Sequence, residues 1–399
     1  MPILRMSDLP LKGKRVLIRE DFNVPIKQGK ISSDLRIRAA IPTIKKALKA
    51  GAAQIMLVSH LGRPEEGVFD EQYSLAPVAL RLSELLKLEV PLISNWLGNG
   101  QIKEPIVLLE NVRFMNGEKV DAKDLARKIA ALCDVFVMDA FATAHRAEAS
   151  THGVIKYAPI ACAGPLLLEE IDALEKIMKE PKHPILAIVG GSKVSTKLSL
   201  LDTLAKKVDT LLVGGGIANT FLAAQGYSVG KSLYEPDLLD EAERLQLDAQ
   251  KRGAAFPLPT DVVVAEKMSE EAESYVRLVS QVDNDEKILD IGPDTIKQWS
   301  SLIKKAKTII WNGPVGAFEL SSFAEGTKNI AKTIATSKAF VVAGGGDTLA
   351  AIEKYRIASP IDYISTGGGA FLAFLEGKKL PAIEALEKRA LASEAKGKA

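Results

Sequence analysis

Cysteine is nearly missing from this sequence. The two present, Cys133 and Cys162, form no CxxC pair, which excludes a disulfide framework and fits a reducing compartment. No Cys/His spacing suggests zinc. Long apolar runs are missing too: the most apolar stretch, Tyr157 to Leu168, is broken by Pro159, Gly164 and Pro165 and is too short to span a bilayer. The segment Met1 to Asp8 lacks the apolar stretch of a signal peptide. Neither sign of charge dominates, with 52 Lys plus Arg against 50 Asp plus Glu and a formal charge of +2. That balance argues against a chain built to coat nucleic acid or an anionic membrane. No G-x-G-x-x-G follows a strand candidate, so a nicotinamide cofactor has no support. Gly226-Tyr227-Ser228-Val229-Gly230-Lys231-Ser232 resembles a P-loop, but three residues separate its glycines where the motif needs four. The expectation is a cytoplasmic protein with no membrane or nucleic-acid partner.

What is present is ordinary globular composition, 47% hydrophobic and 26% charged over 399 residues, enough for two or three folding units at about 150 residues each. Short apolar runs alternate with helical patterns. The strand candidates are Arg15–Arg19, Ile55–Ser59, Ile106–Glu110 and Val135–Asp139, then Ile185–Val189, Thr210–Val213, Asp261–Val264, Thr308–Trp311, Phe340–Ala343 and Asp362–Ser365. Helical spacing covers Ile37–Ala50, Leu75–Leu88 and Ala122–Leu132. Continuous rather than alternating apolar runs predict parallel strands covered by helices on both faces. Proline and glycine interrupt the pattern near Ile155–Pro165, and Leu166–Lys179 reads as one amphipathic helix ended by Glu180-Pro181. The fold class is therefore α/β: two doubly wound parallel-sheet, Rossmann-like domains, 1–165 and 181–377, joined by a connecting helix at 166–180.

In such sheets ligands bind outside the carboxyl ends of the strands. In the first half those ends read Arg19-Glu20-Asp21-Phe22-Asn23, Ser59-His60-Leu61-Gly62-Arg63-Pro64, Glu110-Asn111-Val112-Arg113-Phe114 and Ala144-His145-Arg146, with Arg36 opening the first helix. Any one of these arginines alone reads as a surface ion pair. Arg36, Arg63, Arg113 and Arg146, joined by His60 at equivalent positions, imply a ligand with several negative charges, for which guanidinium offers a permanently charged bidentate fork. His152 and His183 read as structural.

The second half ends its strands in Gly190-Gly191-Ser192-Lys193, Gly214-Gly215-Gly216, Asn312-Gly313-Pro314-Val315-Gly316, Gly344-Gly345-Gly346-Asp347-Thr348 and Thr366-Gly367-Gly368-Gly369. Such loops admit a ligand close to the backbone and present N–H groups to phosphate. Lys193 and Lys197, spaced i, i+4, are expected on one face of a helix's first turns, where cations oppose the helix dipole at a cost of about 0.3–1 kcal/mol each unless an anion lies between. Asp347 is the candidate Mg²⁺ contact. A glycine and lysine cradle in one domain, with an arginine basin in the other that has no obvious Cys nucleophile or Ser-His-Asp set, suits phosphoryl transfer, which rests on positioning and charge neutralisation. A carboxylate acceptor would need no general base. Another carboxylate kinase would share the cradle but not this arginine set. A nucleotide-binding scaffold would not require both lysines and Asp347.

These motifs resemble, in order and over essentially the whole chain, those of the phosphoglycerate kinase family: Arg19-Glu20-Asp21-Phe22-Asn23-Val24-Pro25, Ser59 to Pro64, Glu110 to Phe114, Asp139-Ala140-Phe141 with Thr143-Ala144-His145-Arg146, Gly190 to Lys197, Trp311-Asn312-Gly313-Pro314, and Gly344 to Thr348. The resemblance implies a cytoplasmic, monomeric enzyme exchanging a phosphoryl group between 1,3-bisphosphoglycerate and Mg-ADP, giving 3-phosphoglycerate and Mg-ATP. It implies that Asp21, Asn23, Arg36, His60, Arg63, Arg113 and Arg146 contact 3-phosphoglycerate. Lys197, Gly292, Glu319 (at the ribose) and the loop Gly345, Gly346, Asp347 and Thr348 would contact the nucleotide, with Asp347 on Mg²⁺. Arg36 and Lys193, with backbone N–H groups at Gly367 and Gly368, would stabilise the group in flight. It also implies that 378–399 returns to pack on the N-terminal domain. The chain departs from the family at Met138 and Ala142, where Asn and Gly are usual, and at Glu148, where His is common.

Overall fold

Apolar runs buried on both faces can only be satisfied in a sheet covered above and below, and both halves of the chain solve this in the same way. The computed structural model describes residues 2–98, 102–365 and 367–397, and these form two compact units. One comprises 1–172 with 379–399, the other 173–378. Thr366, placed by the sequence in a glycine-rich strand end, lies outside the described residues.

The first unit holds a six-stranded sheet of β1 (Arg15–Arg19), β2 (Gln54–Val58), β3 (Leu92–Ile93), β4 (Ile106–Leu109), β5 (Val135–Met138) and β6 (Ile160–Ala163), in the order β3-β4-β2-β1-β5-β6 and parallel at every pairing. Arg19 pairs with Val58 on one side and Met138 on the other. Three strands therefore finish level, and their following loops leave from one edge. Val16, Ile18, Ile55, Leu57 and Val137 pack with Ile37, Ile44 and Leu82 of the covering helices. The strand β6 lies where the sequence suggested only an interruption.

The second unit holds β7 (Ile185–Gly190), β8 (Thr210–Gly214), β9 (Asp261–Ala265), β10 (Tyr275–Leu278), β11 (Lys287–Ile291), β12 (Thr308–Asn312), β13 (Phe340–Gly344) and β14 (Tyr363–Ser365). Five of them form a parallel sheet, β8-β7-β12-β13-β14, with Gly190 level with Gly214 and Gly344 level with Ser365. The expectation that 261–264 joins this sheet is corrected: β9 is the centre of a separate antiparallel sheet, β10-β9-β11. Its run Asp-Val-Val-Val-Ala is mostly buried and imitates a parallel core strand, whereas its partner β10 is exposed along most of its length.

The helix Pro165–Lys179 crosses from one unit to the other, and Asp139 Oδ1 anchors its start by accepting the Leu167 N–H at 3.0 Å. The last helix, Pro381–Gly397, belongs to the first unit. Ala382 N donates to Ala144 O at 3.2 Å, and the Arg389 guanidinium donates to Ala158 O at 2.7 Å and Pro159 O at 3.0 Å.

Candidate active site

The level ends of β1, β2 and β5, with β4 beside them, bring the predicted basin together. Asp21 and Asn23 follow β1. Asn23 Oδ1 accepts the Gly62 N–H at 2.9 Å, joining that loop to the loop that carries His60 and Arg63 after β2. Arg36, the second residue of the helix Leu35–Lys49, donates to Asn23 O at 2.8 Å and pairs with Asp21 Oδ2 at 3.0 Å. Arg113, in the short turn Val112–Phe114 after β4, donates from Nη1 to Gly62 O at 2.7 Å and from Nη2 to Glu148 Oε1 at 3.0 Å. Arg146 Nη1 lies 3.8 Å from the same Glu148 oxygen. Arg63 is exposed.

His60 lies almost wholly buried among these charges. Burial first, then Arg19, Arg113, Arg146 and Arg36, hold its imidazole well below the usual range, so it is neutral at pH 7. Arg19, fully buried at the end of β1, approaches His60 Nδ1 with Nη2 at 3.3 Å. A guanidinium has no acceptor, so Nδ1 accepts and the imidazole proton sits on Nε2. Arg19 Nε in turn donates to Ser150 Oγ at 3.1 Å, and Ser150 donates to Glu118, whose carboxyl burial has pushed up to about 7. Arg19 was missed as a site residue because inside the strand pattern it reads as the end of β1. Its signal is a second cation closing the apolar run 16–18, buried where Arg15 at the other end is exposed. His152 and His183 bond Asp121 and Asp209 at 2.6 and 2.7 Å, as structural residues do.

In the second unit the glycine loops open on a cavity of about 590 Å³ lined by Gly191, Ser192, Gly215, Gly216, Leu233, Met268, Leu289, Pro314, Glu319 and Asp347, among others. Gly190 carries no Cβ because one would stand 1.7 Å from Pro314 O, which is how the ends of β7 and β12 come so close. Gly345 has φ +103 at the N-cap of the helix Gly346–Tyr355, and Asp347 sits exposed in that helix's first turn. Thr348 is inward and structural, accepting Gly313 N–H at 2.7 Å and donating to Gly344 O at 2.9 Å.

The lysines depart from expectation. The helix begins only at Leu198, so 193–197 is a loop and the two side chains share no helical face. Lys193 is exposed. Lys197 folds back, donating to Gly190 O at 2.7 Å, Asn312 O at 3.3 Å and Asn312 Oδ1. Asn312 also donates to Gly344 O at 2.6 Å, tying three glycine loops together. In the sequence Asn312 stands out only as part of the motif Trp311-Asn312-Gly313-Pro314.

Gly292 is the N-cap of the helix Pro293–Lys305, packed on the Asp261 carboxylate and not among the residues lining the cavity. Gly367 N–H is taken by Ser365 Oγ at 3.1 Å, and Gly368 opens the helix Gly368–Leu375 with φ +32. The segment set aside as a false P-loop contributes after all: Lys231 and Ser232 line the cavity, although no strand precedes them in P-loop fashion. The apolar lining residues Leu233, Met268 and Leu289 were not legible, being isolated residues in separate segments.

A polyanion basin on one parallel α/β unit and a nucleotide-sized, glycine-lined cavity on another define a phosphotransferase acting on a small anionic metabolite. The phosphoglycerate kinase family model matches residues 6–378. A phosphoglycerate kinase of Nitratidesulfovibrio vulgaris (strain Miyazaki F) is 58% identical over 390 residues, covering 98% of this chain and 99% of that one. The structure of phosphoglycerate kinase from Coxiella burnetii superposes with a TM-score of 0.92 at 53% identity, and that from Pyrococcus horikoshii OT3 with 0.83 at 32%, each covering 98% of this chain and 100% of the other. The chain belongs to the phosphoglycerate kinase family. It is a phosphotransferase with a carboxyl acceptor, using ATP and ADP in glycolysis. Among the described residues no helix is long and apolar enough to cross a membrane.

Burial lowers Lys197 to about 8, the charge of Asp347 pulling it back upward. A polyphosphate bound at this lysine would favour its charged form, so affinity is full below about pH 8 and falls as the pH rises above it. Calorimetry of Mg-nucleotide binding in buffers of different ionisation heat should find proton uptake in that window, lost in Lys197→Met. Affinity flat with pH, or uptake surviving in the variant, contradicts this role.

Proposed function

We propose that the first unit binds 3-phosphoglycerate through Asp21, Asn23, Arg36, His60, Arg63, Arg113 and Arg146, while the second binds the nucleotide against Lys197, Glu319 and the loop Gly345, Gly346 and Asp347, with Thr348 bracing that loop from within. The observation that carries this reading is the convergence of Arg36, Arg113, Arg146 and neutral His60 at one sheet edge, with Arg36, Arg113 and Arg146 each held by a carboxylate. Neutral His60 suits a hydrogen bond to the substrate without adding to the charge. The acceptor carboxylate is ionised at neutral pH, so transfer requires alignment and charge neutralisation rather than a base. Arg36 and Lys193, with the backbone N–H at Gly368, are the groups proposed to act on the phosphoryl in flight; the Gly367 N–H, expected to join them, is already held by Ser365 Oγ at 3.1 Å.

Mg²⁺ fits the second unit's donor set. Asp347 is an exposed carboxylate lining the cavity, and no group of three or more ligating side chains occurs among the described residues. One carboxylate suffices for an ion that takes its other ligands from phosphate and water. When bound, the ion offsets the charge of the phosphates. Asp347 would hold it.

Steady-state kinetics and calorimetry on two variants test this division of labour. Arg36→Ala should lower kcat by about 10²–10³, far more than it raises KM for 3-phosphoglycerate. Asp347→Ala should weaken Mg-nucleotide binding and leave 3-phosphoglycerate affinity intact. A normal kcat in the first, or unchanged nucleotide binding in the second, removes that residue from its role.

In-line transfer needs reacting atoms about 3–3.5 Å apart, and an acyl phosphate must be kept from water. We therefore include hinge closure about the helix Pro165–Lys179, drawn by contacts that both ligands make together. Small-angle scattering should show the radius of gyration falling with 3-phosphoglycerate plus an unreactive Mg-nucleotide analogue and not with either alone. One radius in every state sinks the closure step.

A further inference from the structure

The side chain of Glu148 sits among the cations of the basin. The Glu148 carboxylate, only 7% exposed, touches Arg113 at 3.0 Å and reaches Arg146 at 3.8 Å through one oxygen. Its other oxygen, Oε2, is buried with no hydrogen-bond partner, and so is Arg113 Nε. The residue is fixed by its own backbone: Glu148 N donates to Thr151 Oγ1 at 3.3 Å, and Glu148 O accepts from Thr151 N at 3.1 Å and His152 N at 2.8 Å. Its backbone is thus held at the start of the π-helical turn Ala149–Gly153, with the carboxylate directed inward onto the two guanidiniums.

Two consequences follow from one placement. Without ligand, Glu148 lies between guanidiniums that would otherwise repel, and Arg113 keeps a second anchor in Gly62 O at 2.7 Å. With a phosphate ligand, the same carboxylate becomes a like-charged neighbour that takes up one donor pair of Arg113. We propose that Glu148 is a positioning residue that trims the charge of the basin, setting its affinity for a dianionic phosphate below what the arginines alone would give and so easing release. This rests on the reading that the basin takes the phosphate of 3-phosphoglycerate.

Glu148→Gln keeps the acceptor oxygen and the shape while removing the charge, so it separates electrostatics from positioning. Calorimetric titration of the full chain with 3-phosphoglycerate, and separately with inorganic sulfate, should show both binding about tenfold more tightly in the variant. That is the scale for one unit charge about 6 Å away in a partly solvated site. KM for 3-phosphoglycerate should fall in step, without any rise in kcat. If Glu148→Gln does not fold, Glu148→His at about pH 8, where imidazole is largely neutral, carries the same expectation. Affinity equal to or weaker than the parent's overturns the proposal. Arg113→Ala, titrated alongside, addresses the underlying reading: it should lose 3-phosphoglycerate affinity by at least about tenfold. Parent-like affinity there would overturn the basin itself rather than the part given to Glu148.

Discussion

Guanidinium groups repel one another, and a sheet edge that gathers several must hold them against that repulsion before any ligand arrives. Here the counter-charges are built in. Asp21 holds Arg36 at 3.0 Å, Glu148 holds Arg113 at 3.0 Å, and the fully buried Arg19 rests on Ser150, which is itself held by Glu118. A lost member of such a buried pair leaves its partner uncompensated. The geometry of His60 depends on the same arrangement, because burial and then the surrounding cations keep its imidazole neutral and Arg19 fixes its tautomer.

The second unit meets the complementary problem with backbone rather than side-chain charge. The bare backbones of Gly190 and Gly313 let the end of β7 lie against the Gly313-Pro314 loop after β12, and Lys197 is folded over the carbonyl oxygens of Gly190 and Asn312. The lysine loses water in doing so and its affinity for a proton drops. A site poised in this way gains from an arriving polyphosphate, whose charge replaces the lost hydration. One unit thus holds cations ready by pairing them, the other by desolvating one.

Much of this was legible in the sequence because parallel sheets place loop residues by rule. Apolar runs followed by Asp21, His60, Arg113 and Arg146 predict those residues at one edge, and the level ends of Arg19, Val58 and Met138 are the reason for the loops after β1, β2 and β5. What stayed hidden depends on contacts between distant segments. Glu148 meets Arg113 across 35 residues, and Asn312 meets Lys197 across 115. The strand β9 looked like its parallel neighbours because burial, not partner direction, sets its composition. The i, i+4 spacing of Lys193 and Lys197 suggested a helix, but 193–197 is a loop and the helix starts only at Leu198.

The account rests on the basin being a phosphate clamp rather than a general anion surface. Calorimetric comparison of 3-phosphoglycerate with glycerate, which keeps the carboxylate and hydroxyls but lacks the phosphate, tests this most directly. The account predicts that 3-phosphoglycerate binds at least about a hundredfold more tightly, and that added salt erodes the difference, because charge-assisted contacts carry it. Glycerate binding with an affinity equal to that of 3-phosphoglycerate would contradict it.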